Sequence, residues 1–170
     1  ILNFVINPFF ISIVDVLSGK SLTANKLFGV NLSGMYLTGT ILVDADLTNA
    51  NLEDVDLSGK DLTGTILVGV DLSGKDLTGT ILVGADLTNA NLENVDLSGK
   101  DLTGTILADT DLSGMDLTGT ILVGADLTNA NLENVDLTNA VLTSAILTNV
   151  NFENVVLTNV ILNCVSNPIC

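Results

Sequence analysis

The chain has 170 residues, with 20 Asp and Glu against 5 Lys and Arg, a net charge of −15 and no His. So few cations exclude a basic nucleic-acid-binding surface, and the missing His removes the commonest general base and metal ligand. Apolar residues make up 47% and aromatics only 4%, which excludes a disordered chain and a core built on large rings.

Residues 1–17 are apolar but interrupted by Asn3, Asn7, Pro8, Ser12 and Asp15. They are too short and too polar for a transmembrane span. They are expected to form a short N-terminal cap over residues 1–14, with a helix starting at Pro8, because an open end of stacked backbone needs covering.

A repeat then takes over. From Leu17 to Leu162, every fifth position makes a series of 30; Leu holds 29 of them and Phe152 the other. The residue before each centre is often Asp or Asn. The residue two before is usually Ala, Val, Thr or Lys, and the residue two after is mostly Gly or Asn. Residues 76–98 match 116–138 except that Ser98 becomes Thr138, so a period of 40 overlies the period of five. Period five fits neither a helix nor a strand over any distance. It requires a chain that turns once per repeat, at residues that tolerate positive φ. One Leu and one small residue per five then point inward. Four sides close a coil of about 20 residues, and the 40-residue period is two coils.

The frames Ala45-Asp46-Leu47, Ala85-Asp86-Leu87, Ala90-Asn91-Leu92 and Ala125-Asp126-Leu127 carry the motif A-(D/N)-L-x-x. In these the chain resembles the pentapeptide repeat family, over about residues 15–164. The resemblance implies an all-β right-handed quadrilateral β-helix, a solenoid of about 7–8 coils and roughly 36 Å long at the spacing of paired strands. A tail over 165–170 follows.

Several inward positions are not small. Lys20, Lys60 and Lys100 alternate with Thr40, Thr80 and Thr120 on one side, and Lys75 shares a column with Met35 and Met115 on another. A buried unpaired ammonium is costly. The lysine stems are therefore expected to run along the corner and place their charges outside, near Asp61, Asp76 and Asp101.

Residues 20 apart stack directly. Asp56, Asp76, Asp96, Asp116 and Asp136 form one outward column. Mutual repulsion is expected to raise some of their pKa values. One carboxylate per rung is too few for Ca²⁺, so the column reads as a solvated acidic stripe, with no metal or cofactor. Two other sides carry outward apolar residues in alternate coils: Ile41, Val43, Ile81, Val83, Ile121 and Val123 on one, and Ile66, Val68, Ile106 and Ile146 on the next. Asp and Thr fill the coils between. In the last coils Val141, Ile146, Val156 and Ile161 all replace the acid, and Glu153 is the only charge after Asp136. These apolar residues are expected to be a contact surface.

Catalytic residues are not found. No base stands ready to activate the hydroxyls, and the glycines repeat as turn residues rather than as a phosphate-binding loop. Cys164 and Cys170 are either a disulfide closing a short loop or two thiols; the pair points to an oxidising compartment, extracytoplasmic or the thylakoid lumen. The sequence thus predicts a non-enzymatic structural or protein-interaction rod, with a protein partner or a homo-oligomer and no nucleic acid, membrane span or small-molecule substrate. Because some members of the family present an acidic rod to a type II topoisomerase in place of DNA, the resemblance implies a second reading, an acidic DNA mimic that binds gyrase.

Overall fold

The computed structural model describes residues 17–162. The expected cap over 1–14, Cys164, Cys170 and the tail over 165–170 lie outside the described residues.

Each five-residue repeat makes one side of a square. The central residue points inward, and Leu42, Leu47, Leu62 and Leu67 are fully buried. The residue two places before it is buried too, as at Ala45, Thr65, Ala85 and Thr105. The corner comes two places after the leucine. Every such position from Gly19 to Asn159 has positive φ, between +54° and +69°. Asn fills most of the corners that Gly does not, because its short polar side chain tolerates the left-handed region better than others do. The next N–H closes the turn onto the leucine carbonyl, as Ala45 N to Leu42 O at 2.9 Å. A positive φ at the third place of such a turn is the demand of type II geometry. At Gly64 a Cβ would also press on the carboxylate of Asp44 on the coil below, which would have to turn aside.

Coils stack in register. Every bridge joins residue i to residue i+20 and runs parallel, from Ser21–Ile41 to Val141–Ile161. Each bridge is one residue long, since a corner interrupts the chain every fifth residue. Sheet pairing along the rod therefore takes the place of strand length.

The backbone amides can be followed one by one. In the repeat Ala45–Asn49, Ala45 N–H closes the previous turn. Asp46 N–H donates to Asn25 O on the coil below at 2.9 Å. Leu47 and Asn49 N–H donate to Ile66 and Val68 O on the coil above at 2.8 and 2.9 Å. The fifth amide, Thr48 N–H, donates to the Asp46 side chain at 3.1 Å. All five are satisfied, which the burial of the rod requires.

The interior is one continuous apolar column of leucines, lined by Ala, Val and Thr. The buried threonines give their hydroxyls to carbonyls: Thr40 and Thr80 to Leu17 and Leu57 O on the coil below, both at 2.8 Å. No buried side-chain nitrogen or oxygen among the described residues lacks a partner. Each buried Leu contributes on the order of 2 kcal/mol before chain entropy is subtracted.

Leu92 sits mid-rod and is 1% exposed. Leu92→Ala is expected to cost about 2–5 kcal/mol, because leucines above and below it hold the cavity open. Denaturant unfolding measures this, and a loss under about 0.5 kcal/mol would contradict the register.

Candidate functional site

The square has four sides, numbered here in chain order by their central residues. Side 1 carries Leu37 and every twentieth residue after it; sides 2, 3 and 4 start likewise from Leu42, Leu47 and Leu52.

Side 1 holds the column Asp56, Asp76, Asp96, Asp116 and Asp136, facing outward. Side 4, its neighbour, is acidic as well. It carries Asp71 and Asp111 among Asn51, Asn91, Asn131 and Asn151, flanked by Glu53, Glu93, Glu133 and Glu153. Side 4 was missed in the sequence because its acids are split between two columns. Sorting all acids by a 20-residue period would have found it. Its amides form a ladder in the last coils: Asn131 Nδ2 donates to Asp111 Oδ1 at 3.0 Å, and Asn151 Nδ2 to Asn131 Oδ1 at 2.9 Å.

The pKa values run opposite to expectation. Asp56, Asp76, Asp96 and Asp136 are held below the ordinary carboxylate value. The first cause in each case is the hydroxyl two residues on: Ser58, Thr78, Ser98 and Thr138. The backbone N–H of the same residue adds to it. Asp56 Oδ1 accepts Ser58 N–H at 2.8 Å and Ser58 Oγ–H at 2.6 Å. Asp96 accepts the same pair from Ser98, at 2.9 and 2.7 Å. Repulsion does exist, since Asp56 pushes Asp76 upward, but it ranks below the hydrogen bonds. Two short bonds to the charged form outweigh a neighbour one rung away in water. The column is therefore a set of turn caps that also happens to be charged.

The lysines depart from expectation too. Lys60 and Lys100 turn their ammonium groups onto Leu37 O and Leu77 O, both at 2.6 Å. These carbonyls are equivalent to those that Thr40 and Thr80 bond one coil away. Lys and Thr thus alternate as donors to one corner column of carbonyls. Lys75 lies 3.4 Å from Val55 O. It sits in a groove of about 630 Å³ at the corner of sides 4 and 1, lined by Glu53, Asp54, Asp56, Asp71 and Asp76. Lys60 and Lys100 still act on nearby acids, lowering Asp56, Asp76 and Asp96 through charge. Among the described residues no three His, Cys, Asp or Glu side chains converge to hold a metal ion, and no helix is long and apolar enough to cross a membrane.

Sides 2 and 3 carry the apolar residues. Ile41, Ile81 and Ile121 on side 2 are exposed, and Val43, Val83 and Val123 beside them are half-buried. On side 3, Ile66, Val68 and Ile106 are half-buried and Ile146 is exposed. In the last coils Val141 is half-buried, Val156 on side 1 is exposed, and Ile161 on side 2 is 57% exposed. Local structure does not ask for these side chains. The Ile residues, Val141 and Val156 stand where Asp elsewhere caps the turn amide, as Asp61 does for Thr63 N–H at 3.0 Å, while Val43, Val68, Val83 and Val123 stand where Thr, Ser or Glu elsewhere follows the leucine. An apolar residue in the capping place gives up the cap and faces water. The rod is thus divided lengthwise, with acidic sides 4 and 1 backing onto sides 2 and 3, where apolar and acidic rungs alternate.

A square coil of four five-residue sides, stacked in parallel register on an inward leucine column, is a right-handed quadrilateral β-helix. The chain belongs to the pentapeptide repeat family: the family model for pentapeptide repeats matches residues 26–64, 61–94, 85–122 and 120–159, with eight copies. No curated protein matches it. Among solved structures it is similar to trypsin-treated QnrB1, a plasmid-mediated fluoroquinolone resistance protein, at 15% identity and a TM-score of 0.50, covering 86% of this chain and 84% of that one. HetL of the cyanobacterium Nostoc sp. strain PCC 7120, involved in heterocyst differentiation regulation, matches at 24% identity and a TM-score of 0.42, covering 85% and 87%. A pentapeptide repeat protein from the cyanobacterium Cyanothece matches at 27% identity and a TM-score of 0.34, covering 84% and 87%.

The lowered carboxylates fix the sign of the acid response. A folded pKa below the unfolded one adds stability that is complete above the unfolded value and lost as pH falls through the folded one. Stability should therefore begin to fall as pH drops toward about 4, the ordinary carboxylate range, and keep falling below it. Ser98→Ala should move the Asp96 carboxyl pKa upward, by removing its leading hydrogen bond. Carbon-detected NMR titration of Asp96 in both proteins checks this. An Asp96 pKa above the ordinary value in the parent would restore repulsion as the controlling effect.

Proposed function

We propose that the protein is a non-enzymatic interaction rod that docks on a protein partner, or on another copy of itself, through apolar sides 2 and 3 and its C-terminal coils. The observation that carries this reading is the row of Ile residues, with Val141 and Val156, at outward positions where the fold prefers a capping Asp. Favourable burial on docking accounts for side chains that the isolated rod does not need. The proposal leaves acidic sides 4 and 1 in water, where their charge keeps the rod soluble. The residues proposed for contact are those of sides 2 and 3 together with Val156.

The test is affinity capture from native material, using the parent and a variant with Ile41→Asp, Ile81→Asp and Ile121→Asp. Each change creates an Asp before a central leucine, the pattern the rod already uses at Asp61 and Asp101, so the fold is expected to survive. A partner bound by the parent should be lost from the variant. A partner retained by the variant would place docking elsewhere.

A second reading rests on sides 4 and 1, whose carboxylates line two adjacent faces of a straight rod. It is an acidic DNA mimic bound to a type II topoisomerase such as gyrase. Such binding would weaken steeply with salt. It would also survive the Ile→Asp changes on side 2, which separates the two readings in one gyrase-binding assay.

A further inference from the structure

We infer that one partner of this rod is a second copy of the same chain, bound antiparallel and side to side through the last rungs of side 2, with a two-fold axis at Val141. This rests on the interaction-rod reading and names its partner.

The outward residues of side 2 before each central leucine are Ile41, Asp61, Ile81, Asp101, Ile121, Val141 and Ile161. Two flat sides laid together must choose a register, and carboxylates decide which registers survive. A parallel pair in equal register opposes Asp61 to Asp61 and Asp101 to Asp101. An antiparallel pair centred on Ile81 opposes Asp61 to Asp101. Centring on Ile121 presses Asp101 against Val141, and a one-rung shift from there presses it against Ile161. Like charges face to face, or a carboxylate sealed against an apolar side chain, disfavour all of these.

One register holds three rungs without a carboxylate. An axis at Val141 sets Val141 against Val141, and Ile121 of each copy against Ile161 of the other. Among the described residues the remaining outward positions of this stretch are Val123, Gly124, Thr143 and Ser144, uncharged and mostly small, so the two surfaces can approach closely there. Ile121 and Ile161 are exposed, at 37% and 57%, and gain most by the contact. No other side offers the same. Side 3 alternates to its last rung, where Asp126 precedes Ile146, and on side 1 only Val156 follows the Asp column. The antiparallel direction also carries the acidic coils of the two copies away from each other, which a net charge of −15 per chain favours.

Three rungs at about 4.8 Å make a short contact, well under the roughly 800 Å² per partner of a standard interface. The dimer should therefore be weak and concentration-dependent. Sedimentation velocity from about 1 μM to about 1 mM should show monomer converting to dimer, in the range expected of small interfaces. Val141→Asp sets two carboxylates against each other on the axis. With Leu142 and Thr143 it recreates the Asp-Leu-Thr frame of residues 61–63 and 101–103, so the coil should stay folded, as circular dichroism would check. The dimer should weaken about tenfold or more. In a Cys164→Ser, Cys170→Ser background, Val141→Cys should oxidise to a covalent dimer, while Ile81→Cys should not. A parent that stays monomeric throughout, a Val141→Asp protein that dimerises like the parent, or equal crosslinking at positions 81 and 141 would each overturn the pairing. The capture experiment on sides 2 and 3 would stand or fall separately.

Discussion

A left-handed backbone residue at every fifth position is the constraint on which the rest of the rod depends. It turns the chain through a corner before a strand can lengthen, and so makes each side five residues long. Four corners bring residue i+20 above residue i. From that geometry come the parallel bridges, the two amides per repeat given to the coil above, and the single inward column of leucines. Replacing Gly by Asn at many corners leaves the constraint intact, since both residues reach positive φ. A corner side chain can stand over the one below when the two bond, as Asn129 Nδ2 donates to Asp109 Oδ1 at 2.9 Å.

The acids are tied to the same geometry. A corner every five residues leaves one amide per repeat without a backbone partner, and the Asp or Asn before the leucine supplies it. The high negative charge of the chain is thus partly a by-product of capping. Asn meets the same need without charge, as Asn91 does for Glu93 N–H at 3.1 Å. The choice of Asp over Asn along side 1 is therefore free for solubility or recognition to use. The Ile residues, Val141 and Val156 are the more telling choice, because they give up the cap. Most of them lie on two adjacent sides, where they alternate with Asp, and the other two sides are acidic along most of the rod.

The inward lysines show how the corner absorbs an exception. Lys60 and Lys100 reach the same row of leucine carbonyls that threonine hydroxyls reach in the alternate coils. A cation in the inward frame thereby becomes a donor to the coil below, and the two-coil repeat of the sequence becomes an alternation of long and short donors along one corner.

The sequence by itself determined the period, the inward leucines, the corner residues and the number of sides, because each follows from the φ tolerance of Gly and Asn and from apolar spacing along one chain. It also placed Asp56 to Asp136 in one column, and Ile41, Ile81 and Ile121 in another, by counting in twenties. Only the tertiary structure decided how those side chains use their neighbours. Asp56, Asp76, Asp96 and Asp136 bind the hydroxyl and amide two residues on, so their pKa values fall where simple repulsion would raise them. The ammonium groups of Lys60 and Lys100 settle on carbonyls rather than on the acids. These outcomes turn on distances under about 3 Å between atoms whose directions are set by the closed turn, and a linear pattern of residues does not contain them.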